Sequence, residues 1–77
     1  MEGALILPRT RWIHTLGMRF PLDVAYLDGD GHVVKTMRMK PNRVAVPVLP
    51  ARTVVEAEAG AFSRWGLRVG DVVDLED

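Results

Sequence analysis

Apolar and polar residues alternate along much of the chain with the two-residue period of a β-strand. In the segment LDVAYLD, the side chains of Leu22, Val24 and Tyr26 fall on one face. The opposite face, which includes Ala25 and Leu27, is also partly apolar. Because successive strand side chains point to opposite faces, this pattern predicts a central strand that is covered on both sides.

A turn sequence, DGDG at 28–31, separates this strand from a second alternating segment, HVVKTMRM at 32–39. Glycine supplies the positive φ that a tight turn needs, and aspartate carboxylates accept hydrogen bonds from nearby backbone amides. The two segments and their turn therefore predict a β-hairpin.

Shorter segments on both sides of the hairpin predict further strands at 4–7, 11–16 and 52–60, and a turn followed by a short strand within 67–75. Segment 44–50 contains two prolines, which cannot donate to a ladder, so we expect an edge strand or an extended crossing segment. Phe62 and Trp65, three positions apart and followed by Gly66, predict one short helix near 60–66. The predicted fold class is all-β, a small β-barrel or β-sandwich of about six or seven short strands.

The apolar positions of these elements also predict the core. Its expected members are Leu5, Leu7, Ile13, Leu22, Val24, Tyr26, Val33, Val46, Val54, Phe62, Leu67 and Val72.

Composition and length are those of one small globular domain. Of the 77 residues, 48% are apolar and 26% are charged, which separates the chain from disordered segments. Its uncharged apolar runs are too short to span a bilayer, and the sequence shows no secretory signal. We expect a single domain over 1–77, located in the cytoplasm and without membrane contact. The absence of cysteine excludes disulfides, thiol catalysis and cysteine-ligated metals.

Charge is balanced overall but uneven along the chain. Residues 1–52 contain eight Lys or Arg and four acids, whereas residues 53–77 contain two arginines and six acids. A dipole of this kind can steer a charged partner, although we expect folding to mix the two halves and cancel much of it.

Several motifs follow one another in a fixed order along the chain. The central block is PLDV at 21–24, followed by the DGDG turn and the valine pair at 33–34. The tail has a strand ending in Ala-Gly at 59–60, a short helix, and GLRVGD at 66–71. In this order the motifs resemble the domain-of-unknown-function family 192, and the resemblance covers about residues 4–75. It implies a small β-rich domain of bacterial or archaeal origin, without an established activity.

Two departures from the family pattern bear on function. Many members have a tryptophan and an asparagine ahead of the central strand, where this chain has His14 and Gly17. A role tied to either of those family residues is therefore not transferred. Members also usually carry a basic, glycine-containing segment and a first strand further upstream. The resemblance thus implies a short N-terminus, and a missing strand would leave an exposed sheet edge.

The polar residues around HTLGMRFPLD, at 14–23, form the candidate binding site. Cationic donors in an apolar frame suit an anionic or polyhydroxy ligand, or an acidic segment of a partner. We predict ligand contacts from His14, Arg19, Asp23 and Arg11. The leading hypothesis is a non-enzymatic binding or accessory module for an anionic or polar small ligand or for a protein partner.

Two other function classes stay open. His14 and Asp23 are the types of residue that form a carboxylate–histidine base, so a small hydrolase-like enzyme is one alternative, although no Gly-x-Ser-x-Gly elbow is present. Asp23 also has a structural interpretation, in which it accepts backbone N–H bonds at a strand start or pairs with Arg19. The other alternative is a structural or assembly protein that pairs through an exposed edge strand.

Metal and nucleic-acid binding are not predicted. The DGDG turn resembles the start of a calcium loop but lacks its third acid and its closing glutamate, so no metal or other cofactor is expected. The basic stretch at 35–43 is split between two strand faces, and the chain has few aromatic residues for base stacking. We expect a monomer or a weak homo-oligomer.

Overall fold

A computed structural model describes residues 3–74 and shows an open antiparallel sheet with one short helix beside it. The strands are β1 (Leu5–Pro8), β2 (Leu22–Leu27), β3 (Val33–Met39) and β4 (Thr53–Glu58), and the helix is α1 (Ala61–Trp65). The order of strands across the sheet is β1-β4-β2-β3. The strand that is last in sequence, β4, therefore lies between β1 and β2.

Strand β2 is buried along its whole length, as its two-sided apolar pattern predicts. Val24 and Tyr26 point to one face of the sheet and Ala25 and Leu27 to the other, and all four are inaccessible to solvent. Hydrogen bonding to β3 on one side and to β4 on the other satisfies its backbone without water.

The predicted hairpin is confirmed as the pair β2–β3. Its register runs from Leu22 opposite Met39 to Leu27 opposite Val33, with a bulge near the turn. In the turn, one carboxylate oxygen of Asp28 accepts the backbone N–H groups of Asp30 and His32, at 2.9 and 3.0 Å. The turn is therefore closed by the aspartate, as its sequence suggests.

Two long loops, 9–21 and 40–52, cover one side of the sheet, which we call the loop face. They contact each other through backbone hydrogen bonds, including Ala45 N–H to Ile13 C=O at 3.0 Å. The core on this face consists of Ile13, Leu22, Val24, Tyr26, Met39, Ala45, Ala51 and Val54. The two loops thus form the second layer on this face of the sheet, although they are not regular strands.

Helix α1 and the segment 67–74 cover the opposite side, the helix face. Its core consists of Ala25, Leu27, Val33, Val55, Ala57, Ala61 and Phe62. The helix ends at Gly66, which has a φ of 68° and donates its N–H to Ser63 C=O. The helix predicted near 60–66 is therefore confirmed.

The mainly β fold class is confirmed, but a barrel or sandwich of six or seven strands is not. Within residues 3–74 there are four strands. The strand predicted at 11–16 is absent, and segment 44–50, predicted as an edge strand or an extended crossing segment, is not a strand; an isolated bridge between His14 and Val44 joins the two segments. The segment predicted at 67–75 retains the bridge between His32 and Val72, and Leu75 lies outside the described residues. Loops cover one face of the sheet and a helix covers the other, where a barrel or a sandwich would have further strands. The sheet is therefore open.

The predicted core is largely correct. Buried as expected are Ile13, Leu22, Val24, Tyr26, Val33, Val54 and Phe62, and Leu7 and Leu67 are partly buried. Leu5, Val46 and Val72 are exposed instead, which corrects the prediction. They lie at a sheet edge, in a crossing loop and in a peripheral segment, where no further layer covers them. Among the described residues, no helix has the length and apolar character needed to cross a membrane.

Candidate functional site

The loop face carries a concave surface around Trp12, which we call the Trp12 cleft. It consists of two adjoining pockets of about 490 and about 400 Å³ that share Thr10 and Trp12. The larger pocket, the arginine end, is also lined by Arg9, Arg11, Ala51 and Arg52. The smaller pocket, the glutamate end, is also lined by Leu7, Ile13, His14 and Glu56.

At the arginine end, two guanidinium groups converge on one backbone carbonyl. Nε of Arg11 donates to Ala51 C=O at 3.1 Å, and Nη1 of Arg52 donates to the same oxygen at 3.3 Å. Among the described residues, no acidic side chain lines this end of the cleft. The result is a local excess of positive charge, which attracts an anion.

A third arginine enters the same pocket from a disfavoured backbone conformation. Arg9 directly follows β1 and has a φ of 57°, in the left-handed region that side chains other than glycine rarely adopt. Such conformations cost about 1–2 kcal/mol and concentrate at functional sites. Arg9 therefore adds both positive charge and local strain to the arginine end.

Trp12 lines both ends of the cleft. Its side chain is 48% exposed, and its ring centroid lies 6.1 Å from that of His14, with a tilt of 41°. Nδ1 of His14 accepts the N–H of Leu16 at 3.3 Å. The cleft thus offers an aromatic surface beside a histidine of fixed orientation.

Glu56 is the acidic residue at the other end of the cleft. It is partly buried on β4, between Leu5 of β1 and Val24 of β2. Within residues 3–74 its carboxylate makes no hydrogen bond and no ion pair. Burial raises the pKa of Glu56, and the nearby charge of His14 offsets this only in part.

Two of the four predicted ligand residues line the cleft. Arg11 lies at its arginine end and His14 at its glutamate end. Arg19 is exposed on the loop and lines neither pocket, and Asp23 points to the helix face. The structure therefore brings together only part of the predicted site, and it separates His14 from Asp23 by the sheet.

Asp23 has a structural role: it is 5% exposed, and both oxygens of its carboxylate accept hydrogen bonds. One oxygen accepts Nε of Arg38 at 2.9 Å, and the other accepts the N–H groups of Gly60 and Phe62 at 2.9 and 3.2 Å. Burial by itself would raise the pKa of Asp23, but these hydrogen bonds together lower it. The ion pair predicted with Arg19 is formed with Arg38 instead.

Sequence reasoning missed Trp12, Glu56 and Arg52 as site residues. Glu56 lies two positions after the buried Val54, so both side chains are on the same, core-facing side of the strand. This is an unusual place for an acid. That signal is visible in the sequence. No such signal exists for Arg52, because it meets Arg11 only through the folded contact at Ala51.

A second polar cluster lies at the hairpin turn, where ligand atoms of Asp28, Asp30 and His32 fall within 4.8 Å of one another. Asp28 already accepts two backbone hydrogen bonds there, and the one from His32 is the main cause that lowers its pKa. All three residues lie at or near the surface. The geometry is that of a closed turn.

The chain belongs to the family DUF192, described as "Uncharacterized ACR, COG1430", whose model matches residues 1–75. The resemblance carried by the PLDV, DGDG and GLRVGD motifs is therefore confirmed. The family description assigns no activity.

Two relatives are similar to the chain over most of its length. A UPF0127 protein of Pyrococcus furiosus is 37% identical over 59 residues, which is 77% of this chain and 51% of the relative. A UPF0127 protein of Thermococcus sibiricus is 33% identical over 64 residues, which is 83% of this chain and 42% of the relative. The chain thus spans about half the length of these relatives or less. No solved structure is significantly similar to it.

Proposed function

We propose that this DUF192 chain is a non-enzymatic binding module that takes a small anionic ligand in the Trp12 cleft. The observation that carries the proposal is the convergence of Arg11 and Arg52 on the carbonyl of Ala51. A guanidinium has five N–H donors, so both side chains keep donors for a carboxylate or a phosphate. A bound anion would also relieve the repulsion between the two like charges.

The shape of the cleft supports a small ligand. Pockets of about 490 and about 400 Å³ lie in the range of small-molecule sites. The exposed ring of Trp12 offers apolar contact area next to the anion-binding arginines. A ligand with an anionic head and an apolar body fits both features.

The position of Asp23 supports a binding role over a hydrolase-like one. A general base needs a carboxylate with a free oxygen near its histidine, and both oxygens of Asp23 are occupied on the face opposite His14.

The cytoplasmic location, the prokaryotic origin and the single-domain organisation stay predictions, because they depend on more than this cleft.

Titration of Trp12 fluorescence tests the proposal. Trp65 packs against Phe62 on the helix face, so Trp65→Phe leaves Trp12 as the one tryptophan reporter. Benzoate is expected to give a saturable change in emission. The double variant Arg11→Ala/Arg52→Ala is expected to weaken benzoate binding by about tenfold or more, because the charged hydrogen bonds are lost.

Arg64→Ala is the matched control, since Arg64 pairs with Glu58 outside the cleft. It removes one arginine outside the cleft, where the double variant removes two within it, and it should leave the affinity for benzoate unchanged. Equal affinity in the double variant, or no saturable signal in the parent, would contradict the proposed function.

Assembly through a sheet edge is a second candidate, favoured by β1. Within residues 3–74 this strand pairs with β4 alone, and its Leu5 and Ile6 side chains are exposed. An open apolar edge can add a strand from another chain. Light scattering over a range of concentrations tests this: a mass that rises with concentration, and that Ile6→Lys returns to the monomer value, would support assembly.

A further inference from the structure

We infer that the ligand of the Trp12 cleft is zwitterionic, with an ammonium group that binds Glu56 and an anionic group that binds Arg11 and Arg52. This inference rests on the proposed function and specifies its ligand class. It depends on Glu56, on the neighbours of Glu56 and on the distribution of charge along the cleft.

Glu56 is a carboxylate that lacks a hydrogen-bond donor. Its neighbours in the sheet register are Leu5 and Val24, and it makes no hydrogen bond or ion pair within residues 3–74. Asp23, on the other face of the adjacent strand, accepts three such bonds. A partly buried acid without partners is costly, so a ligand that supplies a donor gains binding energy there.

His14 does not fill this need. It shares the glutamate end with Glu56, but within residues 3–74 the two side chains form no ion pair, and the charge of His14 only partly offsets the effect of burial on the pKa of Glu56. A charged donor forms a stronger hydrogen bond to a carboxylate than a neutral one does. An ammonium group therefore suits this position better than a hydroxyl group.

The distribution of charge along the cleft selects a ligand with two opposite charges. Positive side chains lie at one end, the carboxylate of Glu56 lies at the other, and Trp12 and Thr10 are common to both. A ligand that carried only negative charge would leave Glu56 without a partner. The apolar part of a zwitterion would contact Trp12, so the whole cleft would be used.

Three probes built on one benzene ring test the inference. 4-(Aminomethyl)benzoate carries both charges, 4-methylbenzoate lacks the amine, and benzylamine lacks the carboxylate. In the Trp65→Phe background at pH 7, the zwitterion is expected to bind about tenfold more tightly than 4-methylbenzoate. Glu56→Gln should abolish that preference and leave the affinity for 4-methylbenzoate unchanged or slightly higher.

Glu58→Gln is the matched control, because Glu58 lies two positions further along β4, is exposed and pairs with Arg64. It removes the same charge and should keep the preference for the zwitterion. Thermal unfolding of both variants shows whether they are folded. Glu56→Gln should melt at the same temperature as the parent or higher, because it removes an unpaired carboxylate.

The outcomes separate the inference from the proposed function. If 4-methylbenzoate and the zwitterion bind equally well in the parent, the inference fails and the anion-binding function stands. If the preference survives in Glu56→Gln, the inference fails as well. If neither carboxylate binds, or if benzylamine binds as tightly as the zwitterion, both are overturned.

Discussion

Two acidic residues on neighbouring strands have opposite environments and opposite pKa shifts. Asp23 accepts three hydrogen bonds, which lower its pKa despite burial. Glu56 accepts none within residues 3–74, and burial raises its pKa. Buried polar groups are normally paired, so the paired acid indicates a structural role and the unpaired one indicates a site.

Asp23→Ala is expected to lower the free energy of unfolding at pH 7 by roughly 1–3 kcal/mol, because it leaves the N–H groups of Gly60 and Phe62 without their acceptor. The pKa of Asp23 in the folded protein lies below the ordinary value of an aspartate, so its contribution is fully present above that ordinary value and is lost as the pH falls through the folded-state pKa. Urea unfolding at pH 7, 5 and 3 measures the difference, which should shrink at pH 3.

Asp30→Ala is the control for Asp23→Ala, since Asp30 is exposed and its hydrogen bond in the turn comes from its backbone. Equal urea midpoints for the parent and Asp23→Ala at pH 7 would rule out the structural role.

At the scale of elements, the hairpin turn depends on Gly31. This residue has a φ of 84°, and a Cβ there would lie 2.7 Å from the carbonyl oxygen of Val73. Gly31 also forms a hydrogen bond to the C-terminal segment, since its C=O accepts the N–H of Val73 at 2.8 Å. The backbone of Gly31 therefore lies so close to the backbone of Val73 that a residue with a Cβ atom does not fit between them.

Gly31→Ala is expected to destabilise the protein by about 2 kcal/mol or more, from positive-φ strain together with the backbone clash. Gly29→Ala is the control in the same turn, because its φ is not positive and its nearest contact is the side chain of Arg52 at 3.8 Å. Thermal unfolding compares the two. Similar melting temperatures for the two variants would show that the close approach to Val73 is relaxed at little cost.

The elements that the sequence predicts well are those determined by nearby residues. The β2–β3 hairpin and helix α1 follow from alternation, turn residues and a glycine stop, all within a short stretch. The sequence predicts a strand at 11–16 and an edge strand or an extended crossing segment at 44–50, but both segments belong to loops. Their actual conformation is set by contacts such as the one between Ile13 and Ala45, which are far apart in sequence.

At the scale of the whole molecule, the sheet separates structure from the candidate site. The helix face holds the Asp23 network, and the loop face holds the Trp12 cleft. Arg9, Arg11 and Arg52 all come from the basic part of the sequence, so some of its excess charge persists at the arginine end. Arg11 and His14 were predictable as polar residues in an apolar frame. The residues that join them in the cleft, Arg52 and Glu56, are distant in the sequence and are brought there by folding.

Thr15 connects the two loops that form the cleft layer. It is fully buried, and its hydroxyl donates to Lys40 C=O at 2.6 Å and accepts the N–H of Arg43 at 3.0 Å. The backbone of Thr15 also pairs with Arg43 and Asn42. The hydroxyl thus fixes the position of the loop that carries Trp12 and His14.

Thr15→Val keeps the shape of this side chain but removes its hydroxyl, so the partly buried carbonyl of Lys40 and N–H of Arg43 lose their partner. We expect a loss of roughly 1–3 kcal/mol in the free energy of unfolding. Amide shifts in ¹⁵N spectra should spread over 9–21 and 40–52 and leave helix α1 unchanged, because the sheet lies between them. Thr15→Ser retains the hydroxyl and should recover most of the hydrogen bonding. If Thr15→Val is as stable as Thr15→Ser, then packing rather than this hydroxyl holds the cleft layer together.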